Sequence, residues 1–164
     1  MKNEYPTNIP KWELEHSETA IRKRIDNSIP KALDENALRL AKWLQELRDK
    51  LNAHYSRDMY IIITSGFRCF ALNSKLGGSK TSAHMLALAA DIKVPGLSTR
   101  ELALFIAEHM SDYDQVIDEF GRWVHVGLRT IFETPRGQLL EANKNSKGKT
   151  YYQELFIEGK KVAA

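Results

Sequence analysis

An aspartate stands inside an apolar, strand-like run, Ala89-Ala90-Asp91-Ile92-Lys93-Val94. Burying a lone carboxylate is expensive unless a cation or a set of donors compensates it. A fold that keeps this run in its core must therefore bring compensation to Asp91. Imidazoles are at hand: His84 lies seven positions earlier in Ser82-Ala83-His84-Met85-Leu86-Ala87-Leu88, and His125 lies in Trp123-Val124-His125-Val126. Two His and one Asp are what a catalytic zinc site needs, because Zn²⁺ takes neutral imidazole nitrogen and carboxylate oxygen and such sites keep a fourth position open for water. A further acid, free of the metal, can handle that water's proton. Two acids precede His125, namely Asp118 and Glu119. A single histidine at such a position is usually a hydrogen-bonded structural residue, so the proposal needs all three ligands to converge.

The rest of the composition narrows the class. A length of 164 residues suits one domain and suffices to bury a core without disulfide staples. Apolar residues make up 43% and charged residues 27%, the balance of an ordinary globular chain. The net charge of +3 is small, and basic residues are interleaved with acidic ones, so there is no basic stripe and no nucleic-acid partner is expected. Cys69 is the one cysteine, which excludes an intramolecular disulfide and a cysteine-rich metal site. The start, Met1-Lys2-Asn3-Glu4-Tyr5-Pro6, has no apolar segment of a signal peptide. No run approaches the ~20 apolar residues of a membrane span. The expectation is a monomer made in the cytoplasm, without membrane insertion, that reaches any outside target only when another factor releases it.

Along the chain, residues 1–30 read as an arm packing on a single domain of residues 31–158, with residues 159–164 a frayed tail. Ser17-Glu18-Thr19-Ala20 opens a short helix to about Arg24. Ala37, Leu40, Ala41, Leu44, Leu47 and Leu51 recur at three- and four-residue steps, predicting an amphipathic helix over 34–53. Met59–Thr64 reads as a buried strand ending at Ser65-Gly66, and Phe70–Leu76 as a helical turn or two. Leu88–Val94 is a strand, and Ser98-Thr99-Arg100-Glu101 has capping-box spacing for a helix to about Met110. Gln115–Ile117 and Trp123–Val126 pair as a hairpin, and segments around Gln138–Leu140 and Tyr151–Phe156 flank a polar loop as a second one.

The first hairpin decides which acid meets His125. Gly121-Arg122 fits a two-residue loop with glycine first. That register sets Asp118 opposite His125 and Glu119 opposite Val124, favouring Asp118 as the site acid. A bulge would reverse the choice, and periodicity does not settle it.

Ser82-x-His84-x-x-Ala87-x-Ala89-x-Asp91 resembles the Ser-x-His-x-x-Gly-x-Ala-x-Asp signature of the M15 zinc peptidases, the D-Ala-D-Ala carboxypeptidases and related peptidoglycan peptidases. Trp123-Val124-His125-Val126 is similar to that family's second metal motif, and Ser65-Gly66-Phe67-Arg68 to its Ser-Gly-Tyr-Arg segment. Ser17–Ala20 and Ile25-Asp26-Asn27 resemble its phage-type branch. The resemblance implies an α+β fold, a small antiparallel sheet carrying the zinc site with helices flanking it, as in the related hedgehog domain. It implies Zn²⁺ on His84, Asp91 and His125, a substrate carboxylate on Arg68, and a peptidoglycan peptide as partner. Ser82 would then orient a carbonyl or its loop, and Trp123 would wall the cleft. Where several members carry an acid three residues before the last His, this chain has Arg122. The hedgehog domain has its Glu six residues before, which matches Glu119 and makes it the general base, with Asp118 second. Ala87 replaces the motif's glycine, a change that matters if the backbone there needs a positive φ. The alternative function is a zinc-bearing binding or phage structural module of the same fold with little activity.

Overall fold

The computed structural model describes residues 4–156, and its central feature is a six-stranded sheet. In chain order the elements are α1 (Lys11–Glu15), α2 (Glu18–Lys23), a 3₁₀ turn (Lys31–Leu33), α3 (Asp34–Tyr55), β1 (Ile62–Ser65), α4 (Phe70–Lys75), a second 3₁₀ turn (Ala83–Leu86), β2 (Ala89–Lys93), α5 (Thr99–His109), β3 (Tyr113–Glu119), β4 (Trp123–Leu128), β5 (Gln138–Lys144) and β6 (Thr150–Glu154). The strand order is β1-β2-β4-β3-β5-β6. Every neighbouring pair is antiparallel except β3 and β5, which run parallel. The fold is α+β, and the tail 159–164 lies outside the described residues.

The long helix forms for the reason its spacing predicts. Ala37, Leu40, Ala41, Leu44, Leu47 and Leu51 are all at most 1% exposed and join one core with the sheet. Ser98 and Glu101 close the capping box of α5, each side chain accepting the other's backbone N–H. Ser17 caps α2 through the Ala20 N–H. Strand alternation then divides the sheet into two faces. Ala90, Ile92, Val116, Val124 and Val126 are buried and belong to the core shared with the helices. Asp91, Ile117, Glu119, Trp123 and His125 point the other way, into a cleft.

Two expectations change. Met59 and Ile61 are buried, but the strand itself begins at Ile62 and is half-exposed, because β1 lies at the sheet edge rather than inside it. The first hairpin has a three-residue loop, Phe120-Gly121-Arg122, not a two-residue one. Phe120 and Gly121 both take positive φ (58° and 65°), and the Arg122 N–H donates to the Glu119 carbonyl. The added residue shifts the register by one, which turns every side chain on β3 over relative to the two-residue reading.

Gly66 ties the N-terminal segment to this sheet. A Cβ there would lie 2.4 Å from the Leu14 carbonyl oxygen, a backbone atom that cannot swing away. Beside it the Phe67 N–H donates to the same carbonyl at 2.7 Å. Gly66→Ala is expected to cost about 2 kcal/mol or more through overpacking, a fall of roughly 5 °C in Tm measured by calorimetry. An unchanged Tm would mean that the contact is not maintained.

Candidate active site

His84, Asp91 and His125 come together from three different elements. His84 sits in the 3₁₀ turn 83–86, Asp91 in the middle of β2, and His125 opposite Asp91 on β4. One ligand atom of each lies within 4.8 Å of the other two. His84 Nε2 is 3.3 Å from His125 Nδ1, and Asp91 Oδ1 is 3.3 Å from the former and 3.0 Å from the latter. The far nitrogen of His84, Nδ1, lies 2.6 Å from the Gly66 carbonyl oxygen. A carbonyl only accepts, so Nδ1 carries the proton and Nε2 turns its lone pair toward Asp91 and His125. Burial pushes the His84 imidazole below its ordinary pKa, with Asp91 offsetting this only in part, which keeps the ring neutral. Burial also opposes ionisation of Asp91, but hydrogen bonding with His125 outweighs it and holds that carboxyl well below the usual range. Two imidazoles and an ionised carboxylate converging on one point are answered together by a cation. The donor set fits zinc.

The polypeptide around the triad braces it. A bulge in β1 brings Ser65, rather than Thr64, opposite Asp91. Arg68 bridges the two, donating from Nε to Ser65 Oγ at 2.9 Å and from Nη2 to Asp91 Oδ2 at 2.5 Å. Arg68 was expected to receive a substrate carboxylate. It does line the cleft, but two of its three nitrogens are already engaged. Ala87 takes φ +53°, so the backbone does need the conformation glycine favours. The strain of about 1 kcal/mol is nearly matched by burial of its methyl, worth about 0.8 kcal/mol. The departure from glycine is close to neutral.

The hairpin register selects between the two acids. Ile117, not Asp118, stands opposite His125, and Glu119 stands opposite Trp123. The expected pairing of Asp118 with His125 is thus corrected. Asp118 points to the helix side, 4% exposed, with Oδ1 lacking a hydrogen-bond partner among the described residues. Glu119 lines the cleft with the triad. Burial raises its pKa, with the charge of Asp91 adding to this and His125, Trp123 and Arg68 opposing it. The Trp123 indole N–H faces the same space, buried and without an acceptor at full hydrogen-bond geometry. Ser82 precedes the 3₁₀ turn that carries His84 and also lines the cleft.

The cleft encloses about 1010 Å³ and extends well beyond the sequence-predicted residues. Its far end holds Asp114, gripped by Arg129 and Arg136. Burial opposes ionisation of Asp114, but hydrogen bonds from the Arg136 side chain and backbone and from Arg129 lower its pKa to about 2 from an ordinary 3.8. A depressed carboxylate pKa means stability that is present above about pH 4 and lost as pH falls toward 2. Asp114→Asn is expected to lose about 1–2 kcal/mol at pH 7, the figure discounted for the half-exposed arginines. Urea melts at pH 7 and pH 2.5 should show this gap closing at the lower pH. A gap of equal size at both would contradict the ion cluster's role.

The other wall comes from β5 and β6, which supply Lys144, Thr150 and Tyr152. Sequence reading missed these because nothing local announces a parallel pairing with β3. Across the sheet, Trp123, Glu119, Ala142 and Tyr152 form one row. Burial raises the Tyr152 pKa, and the charge of Glu119 raises it further across the small Ala142 side chain. Among the described residues no helix is long and apolar enough to cross a membrane.

A family model described as Peptidase M15 matches residues 8–127. No curated protein matches the chain. The matched span contains the triad, Arg68, Ser82, Glu119 and Trp123, and ends before β5 and β6.

Proposed function

The chain belongs to the M15 peptidase family, and from that premise we propose that it is a zinc-dependent hydrolase of peptide bonds in peptidoglycan stem peptides. The observation that carries this reading is a cleft-facing carboxylate, Glu119, on the same sheet face as the buried His-Asp-His group. His84 Nε2, Asp91 Oδ1 and His125 Nδ1 would hold the zinc, which when bound would supply the Lewis acidity that activates water and polarises a carbonyl. Glu119 takes the proton of the attacking water and passes it to the leaving amine. Its raised pKa brings it nearer the operating pH, where such a carboxylate both accepts and returns a proton. Gly66 fixes the His84 tautomer through Nδ1, and Arg68 fixes the Asp91 carboxylate through Oδ2. Arg68 keeps Nη1 for a substrate oxygen. Ser82 orients a substrate carbonyl at the cleft rim, and Trp123 walls the site.

The test is digestion of purified peptidoglycan by zinc-loaded protein, read by mass spectrometry. Released D-alanine would identify a carboxypeptidase, and new amino termini within the stem or cross-link an endopeptidase. Zinc uptake without any cleaved product would sink the hydrolase reading and favour a binding module on the same fold.

A further inference from the structure

We propose that Lys144, on the β5–β6 wall outside the family-matched span, is the cation that binds a free carboxylate of the substrate peptide. This rests on the reading of the cleft as a stem-peptide site. Four cationic side chains line the cleft: Arg68, Arg129, Arg136 and Lys144. Arg68 pairs with Asp91, and Arg129 and Arg136 both pair with Asp114. Among the described residues, Lys144 alone of the four has no carboxylate partner. Among the described residues Glu119 is likewise the one cleft carboxylate outside an ion pair, since Glu133 is held by Arg129. The two unpaired charges lie at the same end of the cleft.

Their placement follows from strand register. Ala142 stands beside Glu119, and Lys144 follows two residues later on the same face of β5. The Lys144 ammonium rests 5.6 Å from the centre of the Phe120 ring, a contact that holds the chain near the cleft without neutralising it. An incoming anionic peptide meets Asp91 and Glu119 as repulsive groups. Arg68 offsets the first, and Lys144, without a carboxylate partner among the described residues, is free to offset the charge the peptide itself brings. Lysine suits this work because a compact ammonium on a flexible stem follows a carboxylate without needing a fixed fork. The amide bond being cut then lies toward the metal triad, with the peptide's carboxylate toward the Phe120 turn.

The experiment compares a stem pentapeptide bearing a free C-terminal carboxylate with the same peptide amidated. Binding is measured by calorimetry on zinc-loaded Glu119→Gln protein, and turnover on protein with Glu119 intact. The free peptide should bind roughly 10- to 100-fold more tightly than the amide, the scale of a hydrogen bond to a charged group. Lys144→Met should remove that preference and raise KM for the free peptide by a similar factor with zinc content unchanged, and Lys144→Arg should restore it. Cleavage of the peptide with the preference intact in Lys144→Met overturns this assignment and leaves the hydrolase reading standing. A protein that neither binds nor cleaves the free peptide overturns both.

Discussion

Replacing Glu119 by glutamine is expected to lower peptide turnover by about 10²–10⁴-fold while zinc uptake stays at the wild-type level. The amide keeps the size and the hydrogen-bonding capacity of the side chain but cannot accept the water's proton. Glu119 is not a ligand of the triad: the ligand atoms belong to His84, Asp91 and His125 alone. Metal content should therefore separate loss of the base from loss of the site. The pH profile carries the same information. Glu119 must be ionised to act, and burial raises its pKa. The acid limb of kcat/KM should therefore flatten in the glutamine variant. Asp118→Asn is the companion measurement, because Asp118 lies on the other face of β3. Turnover in that variant should stay within a few fold of wild type. A loss like that of Glu119→Gln would mean that the hairpin adopts the two-residue register in solution.

Asp91→Ala is expected to have the larger structural effect. It removes one of three ligands and should weaken zinc binding by at least 100-fold, beyond what loss of a supporting hydrogen bond does. It also strands Arg68, whose side chain is only 16% exposed and whose Nη2 has Asp91 as its partner. Breaking a pair this buried by removing one member costs about 3 kcal/mol or more. The metal-free variant should melt roughly 6–12 °C below metal-free wild type. Scanning both proteins in the presence of a chelator isolates this cost from the stabilisation that bound metal confers on the folded state. An unchanged Tm without metal would show that Arg68 finds another partner, and would remove it from the bracing of the site.

The metal group was legible in the sequence because each part of it left a local mark. Asp91 is a carboxylate in a strand too apolar to tolerate one unaided, and His84 and His125 sit in motifs of recognisable spacing. The long helix and the capping box of α5 were legible for a similar reason: periodicity of 3.6 and the Ser98–Glu101 pair are properties of adjacent residues. The choice of base was not. It turns on whether the first hairpin holds two or three loop residues, and Phe120 taking a left-handed φ without being glycine is a decision of the folded sheet rather than of the tripeptide. The placement of Lys144 and Tyr152 was still less visible. It depends on β5 running parallel to β3 across some twenty intervening residues, a pairing encoded in burial of Leu139 and Ala142 and in no motif. Arg68 shows a third case. The residue was found from its segment, yet its engagement with Asp91 and Ser65 follows from the bulge in β1, which the sequence Ile62-Ile63-Thr64-Ser65 does not advertise.

The most direct measurement is anomalous scattering at the zinc edge from crystals of the purified protein grown with one equivalent of zinc. One strong peak is predicted between His84 Nε2, Asp91 Oδ1 and His125 Nδ1, on the sheet face that carries Glu119. A protein that takes up no zinc, or a peak at any other group of side chains, would contradict the account of this cleft as a metallopeptidase centre.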